Sequence, residues 1–483
     1  MIRRSILLLS VFAMVAAACT SKGEETASPS SSPSPSVTSS PTSTTSPPAG
    51  VLTFPTSAVL FADLADVPLF GENAPAYAGP ATPSSLDGVR IASSVANLLK
   101  DPAVKASLLQ NGFVVIPSDF RLFHFAYQGN VYEGWPVYVT TDVAYHTWHL
   151  VFDKVLRTLE QETLLPELES LVSGLLRAAH AQTQDVAGTQ VEDAASRVEQ
   201  LFEVAAAELD LPVTLGPLAQ KEKALIDAHA ATEVSPIVGS TIDYSIFTPR
   251  GHYTRTPELT RYFVAMSVLG QLAFCLPGTT DCPGADPARM AILASRLLAE
   301  DGDLLASWRR IYEPTSFLVG LADDYTPLEV AGAARAVVDS GLGDPTAFGD
   351  DAVVSDVVDA LVSTRPVQIN PDRASIRLMG ARFVLDSFIF DQLISPNVGT
   401  ADDPRNLPSG LDLAAAFGSS FAHDVLDRTG ETHYANYDEQ LRRMQDAIAA
   451  RAPQDWGGTV YDAWLHALEP VFVDHGDAYP DYM

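Results

Sequence analysis

Asp101-Pro102-Ala103-Val104-Lys105-Ala106-Ser107-Leu108-Leu109-Gln110-Asn111-Gly112 is punctuated as a helix at both ends. Asp101 is an N-cap residue, Pro102 suits the first helical position, and Gly112 closes the C-terminus. Helical periodicity continues over 141–161, 165–184, 190–209, 217–231, 257–274, 286–300, 326–339, 351–363, 409–427, 435–450 and 458–472. Only Phe113-Val114-Val115-Ile116, Val137-Tyr138-Val139-Thr140 and Pro366-Val367-Gln368-Ile369 read as strands. No internal repeat recurs at a fixed period of roughly 33–47 residues, which argues against a regular helical solenoid. The expected fold is therefore mostly α. It is a large single body of packed helix pairs with few short strands and long functional loops, and an α/α toroid is one arrangement within that class.

Ahead of these helices, Pro55, Pro68, Pro75, Pro80 and Pro83 interrupt short apolar clusters. The domain is expected to span 51–483, with 51–110 as an arm that is irregular over its proline-bearing part. A chain of 483 residues can bury most of its unfolded apolar surface without help from metals. Thirty Lys+Arg against sixty Asp+Glu give a formal charge of −30. That balance excludes nucleic acid and anionic lipid surfaces as partners, because both are bound through cationic side chains.

The N-terminus carries an address. Arg3 and Arg4 precede the apolar run Ile6 to Ala18, and Ala16-Ala17-Ala18 leads into Cys19. The run is shorter than the roughly 20 residues a membrane span needs. Residues 1–18 are expected to be a lipoprotein signal peptide cleaved before Cys19, whose thiol takes the lipid. The alternative is an ordinary secretory signal with a chance cysteine. From Ser28 to Pro48 every residue except Val37 is Ser, Thr or Pro, so residues 19–50 read as a disordered tether with nothing to bury. The expected location is the extracytoplasmic face of the cell membrane, held by the lipid alone. Two cysteines remain, Cys275 and Cys282, flanking a turn-rich Leu-Pro-Gly-Thr-Thr-Asp. In an oxidising compartment they read as a disulfide, the alternatives being two free thiols or a chance metal pair.

Several segments carry a resemblance. They are Val139-Thr140-Thr141-Asp142 with His146, His149, Phe152-Asp153 and Leu159-Glu160, then Asp243-Tyr244-Ser245 and Pro249-Arg250-Gly251-His252-Tyr253-Thr254-Arg255. Tyr312-Glu313-Pro314, Val319-Gly320-Leu321-Ala322-Asp323-Asp324, Arg382-Phe383-Val384-Leu385-Asp386-Ser387, Pro408-Ser409-Gly410-Leu411-Asp412 and Tyr461-Asp462-Ala463-Trp464-Leu465 follow in order. Together these resemble a bacterial family of exported proteins catalogued only as a domain of unknown function, over most of residues 110–483. The resemblance brings no established activity, cofactor or partner. The family continues past the stretch that here is Tyr479-Pro480-Asp481-Tyr482-Met483, so this chain is expected to be a shortened member.

Read residue by residue, Asp142, His146, His149 and Asp153 are spaced four, three and four apart and share one helical face. Such a face holds a divalent metal, forms an acid/base relay, or packs as a buried polar layer. Which metal, if any, is not legible. The loop Arg250, His252, Tyr253, Arg255 lies ahead of a helix start at Thr256-Pro257. It either receives a carboxylate or sugar hydroxyls, or staples itself to the body by ion pairs. Glu313, Asp323, Asp324 and Asp386 are the acidic candidates, with Asp323 and Asp324 also readable as caps for the helix after Thr326. Arg365, Arg373, Arg377 and Arg382 either hold an anion or neutralise those acids. Trp456, Tyr461, Trp464 and His466 either stack sugars or pack a core.

Two functions compete. One is a surface-tethered hydrolase acting on a glycan or cell-wall polymer. The other is a non-catalytic ligand-binding or scaffolding envelope lipoprotein. A hydrolase converges its motifs on one concave site with perturbed carboxylates; a scaffold spreads them as separate pairs.

Overall fold

The computed structural model describes residues 85–87, 96–114, 122–134, 137 and 141–472. Cys19, the expected signal peptide and tether, and most of the expected 51–110 arm lie outside the described residues. The chain divides into two compact units, one holding residues 153–473 and the other residues 69–152.

In the smaller unit, α1 (Pro102–Asn111) is built as its punctuation dictates. The Asp101 carboxylate accepts from the Ala103 amide and Gly112 takes the left-handed C-terminal conformation. It is followed by α2 (Phe123–Glu133), which the sequence reading missed, and by the first part of α3 (Thr141–Leu159). Phe113 and Val114 are not strand residues, and neither is Val137.

The larger unit is helical throughout. After α3 the chain stays helical through a π-helical segment, Glu160–Leu164, into α4 (Leu165–Asp185). The expected break near 161–165 is thus a change of helical pitch. Leu168, Leu171, Val172, Leu175 and Ala179 recur at the helical repeat on α4 and are closed to solvent. They pack on α5 (Glu192–Glu208), which is followed by α6 (Pro217–Asp227), α7 (Pro257–Gln271), α8 (Asp286–Ala299) and α9 (Gly302–Leu318). α10 (Pro327–Val337) and α11 (Asp351–Val362) complete the first apolar core, which runs from Leu164 to Met379. Gly174 lets α4 and α9 approach closely, since a Cβ there would lie 2.4 Å from the end of the Leu304 side chain and oblige it to shift.

A second core runs from Phe383 to Leu465. It is built by α12 (Leu385–Gln392), α13 (Gly410–Ala416), α14 (Ser420–Arg428), α15 (Tyr437–Ala449) and α16 (Val460–Phe472). The single helix expected over 409–427 is two helices, broken at Gly418, whose φ of +103° ends the first. Trp456 and Tyr461 are buried in this core, and His466 stacks on Trp456. The aromatic stretch therefore packs rather than presents a sugar platform.

Strands are few and short. β1 (Thr232–Val234) pairs antiparallel with β2 (Thr241–Asp243), and β3 (Phe274–Cys275) pairs with β4 (Ser375–Ile376). Pro366–Ile369 is not a strand. The Gln368 and Ile369 amides donate to the Asp323 carboxylate, at 2.9 and 2.8 Å, instead of to a neighbouring chain. Among the described residues no helix is long and apolar enough to cross a membrane.

Cys275 and Cys282 are disulfide-bonded. The closed loop is held against the β4 approach by the Thr280 amide on the Asp372 carbonyl and by Arg373 on Asp281. Replacing both cysteines by Ser is expected to cost about 2.5 kcal/mol, from the unfolded-chain entropy released by so short a loop. Urea unfolding with and without reductant measures it. An unchanged midpoint would show that the bond constrains nothing.

Candidate functional site

The best-formed polar constellation joins two motifs distant in sequence. α3 and its π-helical extension supply Asp153, Arg157 and Glu160, and the turn Gly251–Thr254 supplies His252 and Tyr253. The Leu165 amide donates to the Glu160 carbonyl five residues back. Such a π turn shifts side chains off the regular helical face, and these segments are frequent at functional sites. The turn is fixed from its other side, where Thr256 caps α7 and the Thr260 hydroxyl donates to the Tyr253 carbonyl at 2.8 Å.

His252 Nε2 lies 2.7 Å from Glu160 Oε2, and the Tyr253 hydroxyl donates to Glu160 Oε1 at 2.7 Å. On the other edge of the ring, Nδ1 lies 3.3 Å from Asp153 Oδ1. That second contact is not aligned as a hydrogen bond, so it acts as charge against charge. Arg157 Nε donates to Asp153 Oδ2 at 3.0 Å, and Arg255 reaches the same oxygen at 3.8 Å. Asp153, Glu160, His252 and Tyr253 are all buried.

Their electrostatics follow. Burial works against the imidazolium, but the bonds and charges of Asp153 and Glu160 outweigh it and raise the His252 pKa. For Asp153 burial pushes upward, and His252, Arg157 and Arg255 together pull it below the usual carboxylate range. Burial, reinforced by the Glu160 charge, pushes Tyr253 far up, so its phenol stays protonated. Tyr262 on α7 is raised the same way, by burial and then by Glu160, while Arg382 pulls it down.

The other expected site residues are placed as follows. Arg250 is exposed. His146 and His149 are half-buried and belong to the smaller unit, whereas Asp153 belongs to the larger; the Asp142 side chain lies outside the described residues. Among the described residues no group of three or more His, Cys, Asp or Glu is arranged to hold a metal ion.

Asp323 and Asp324 are not helix caps. Thr326 and Glu329 form the capping box of α10. Asp323 instead gathers the Gln368 and Ile369 amides, and burial pushes it up to about 6. Asp324 pairs with Arg377 at 2.8 Å and accepts from the Ser375 hydroxyl. Arg365 pairs with Glu329 and donates to the Asp323 and Asp324 carbonyls, so these arginines do neutralise acids and clamp the segment beyond α11. Asp386 lies in the second core, held by Tyr461 and the Ser387 amide, and burial raises it. Arg382 lies over the Tyr312 ring, 4.2 Å from its centroid.

Three participants escaped the sequence reading. Glu160 was visible only as part of a motif, because nothing local shows that His252, 92 residues away, will meet it. Glu222 is fully buried and holds Ser235, Tyr244 and the Ile237 amide; burial raises it. Arg405 is buried with Asp412. Tyr244 and Asp412 stood in the quoted motifs, and that was the only signal.

Residues 101–483 match the family described as "Protein of unknown function (DUF3160)". No curated protein and no solved structure matches the chain.

Proposed function

The chain belongs to the DUF3160 family, and from that premise we propose that it is a lipid-anchored, extracytoplasmic binding or scaffolding protein rather than a glycan hydrolase. One observation carries the reading. Asp153 and Glu160 meet on opposite edges of the His252 ring, which occupies the gap between them. Glycoside hydrolysis needs that gap for a sugar and, in inverting enzymes, for a water. Both Glu160 oxygens are already taken, by His252 and Tyr253. The remaining acidic candidates support the same reading. The Asp323 carboxylate is bound to backbone amides and that of Asp324 to Arg377. Asp386 is held by Tyr461 in the second core, and Glu313 is exposed beside Arg309.

In this reading Cys19 carries the lipid, residues 19–50 give the body reach, and the helical body engages a cell-wall or glycan polymer without cutting it. Detergent-extracted full chain, mixed with purified insoluble cell wall and centrifuged, is expected to enter the pellet while no new reducing ends reach the supernatant. Reducing ends above a heat-inactivated control would overturn the non-catalytic reading, and protein left in the supernatant would overturn the ligand. In cell fractions, Cys19→Ser is expected to move the protein out of the membrane. Wild-type protein found wholly soluble would remove the anchor.

A further inference from the structure

Arg382 departs from the pattern of most enclosed arginines. Arg296, also half-buried, forms no ion pair among the described residues either, but its N–H groups go to the Leu342 and Gly343 carbonyls and the Gln182 amide oxygen. Arg157, Arg289, Arg365, Arg377, Arg405 and Arg451 each form an ion pair with a carboxylate. Arg382 is half-buried and, among the described residues, faces no carboxylate. Its Nη1 donates to Ser316 Oγ at 3.0 Å and its Nη2 to Thr315 Oγ1 at 2.5 Å. Those hydroxyls spend their own protons on the Tyr312 and Ile311 carbonyls of α9, so they accept from the guanidinium and bring no charge. The ionisable groups that act on Arg382 are Tyr312 and Tyr262, both neutral phenols. The C-terminal end of α9 offers a partial negative charge, which positions a cation without neutralising it.

A chain with sixty acids and thirty bases has many carboxylates, yet none among the described residues pairs with Arg382. Its placement is specific. The first core ends at Met379 and the second begins at Phe383, so Arg382 stands at their junction. Gly320 lets the 319–322 turn close against this segment. Its φ is +148°, and a Cβ there would lie 2.5 Å from the Phe383 carbonyl. Burial lowers the Arg382 guanidinium below the ordinary arginine range, as deep enclosure does, yet the side chain keeps solvent access. Arg382 is thus a cation enclosed at the junction of two packed cores that keeps partial solvent access.

We infer that Arg382, stacked on Tyr312 at the junction of the two cores, receives an oxyanion, a carboxylate or phosphate group on the bound polymer. Thr315, Ser316 and Tyr312 each take a bond from the guanidinium, which leaves two of its five N–H groups, and a guanidinium fork matches either anion. Tyr312 adds a donor, since its oxygen accepts the Ala322 amide at 3.0 Å while its own proton stays available. The inference deepens the binding reading and rests on it: the polymer would be acidic. A single enclosed cation on a protein of formal charge −30 would also select for local geometry over bulk attraction.

The test uses the full chain in detergent at constant ionic strength. Sodium phosphate and sodium glucuronate are the probes, with glucose as the uncharged control. The thermal midpoint is expected to rise saturably with one or both anions and not with glucose, as binding to the folded state requires. Response to phosphate alone assigns a phosphorylated ligand, to glucuronate alone a carboxylated one, and to both an oxyanion in general. Arg382→Gln is expected to weaken the response roughly tenfold or more. An equal response in the variant, or none in the wild type, overturns the site. Because Arg382→Gln risks misfolding, phenylglyoxal modification of wild type gives an independent measurement. Peptide mapping is expected to show slower labelling of Arg382 when the anion is present, and unchanged labelling overturns the inference. If Arg382→Gln still pellets with cell wall, the binding reading stands and only this assignment fails.

Discussion

Replacing Arg405 by Met is expected to remove about 3–5 kcal/mol of folding stability at neutral pH. Arg405 is 1% exposed and Asp412 is fully closed. The guanidinium donates to both Asp412 oxygens, at 2.9 and 3.2 Å, to the Leu393 carbonyl at 2.7 Å and to Glu431 at 2.9 Å. Asp412 also accepts from the Tyr437 hydroxyl at 2.7 Å and the Ser409 amide at 2.7 Å, and it completes the capping box of α13. Taking away the cation leaves a carboxylate buried with neutral donors only. The loss therefore reports a stranded charge more than the net worth of the pair. Two consequences separate this from simple loss of packing. The deficit should shrink in acid, because a buried carboxylate without a cation is neutralised more readily than a paired one. Adding Asp412→Asn should recover at least about half of it, because no charge then needs a partner. Urea unfolding followed by tryptophan fluorescence reads both, since Trp456 sits in the same core. A loss under about 1 kcal/mol, independent of pH, would contradict the account.

The helices were legible where their ends carry their own chemistry. Asp101 with Gly112, Thr256 with Pro257 and Thr326 with Glu329 all cap as their residue types dictate. α9 was hidden because Pro314 interrupts its pattern. The helix continues past the proline, and Thr315 and Ser316 hydroxyls bond to the Ile311 and Tyr312 carbonyls of the same turn. α12 was hidden for the opposite reason. Leu385 through Asp391 are all buried, so no polar face marks a period. Pro366–Ile369 read as a strand because it is largely apolar, and its partner is a carboxylate that no local pattern announces. The candidate site divides along the same line. His252 and Asp153 were picked out by residue type, but which charge meets which depends on tertiary packing. Asp323 and Asp324 looked like acid candidates or caps and are clamps on a distant segment.

Stability is expected to be greatest in mildly acidic solution and to fall as pH rises toward neutrality. Asp323 carries the clearest part. Burial raises it from 3.8 to about 6, so the folded state holds a proton that the unfolded state has released between those values. Folding stability then declines across that window as pH rises, by about 3 kcal/mol for the full interval. Burial likewise raises Glu222, Asp386 and Asp462, each with the same sign. His252 extends the trend upward. Its folded value is raised above 6.5, so its contribution is complete below 6.5 and is lost as pH climbs through the folded value. Asp153 opposes them, since its lowered value gives stability above 3.8 that disappears as pH falls through its folded value. The self-repulsion of a formal charge of −30 acts with the majority. Asp323→Asn isolates the main term. The amide can accept only one of the two backbone N–H groups, so the variant should lose about 1 kcal/mol near pH 4. Near pH 7 it should match or exceed wild type, because it has no charge to bury. Urea midpoints at pH 4, 5, 6 and 7 should show the two curves crossing. Parallel curves would mean that Asp323 does not hold its proton in the fold.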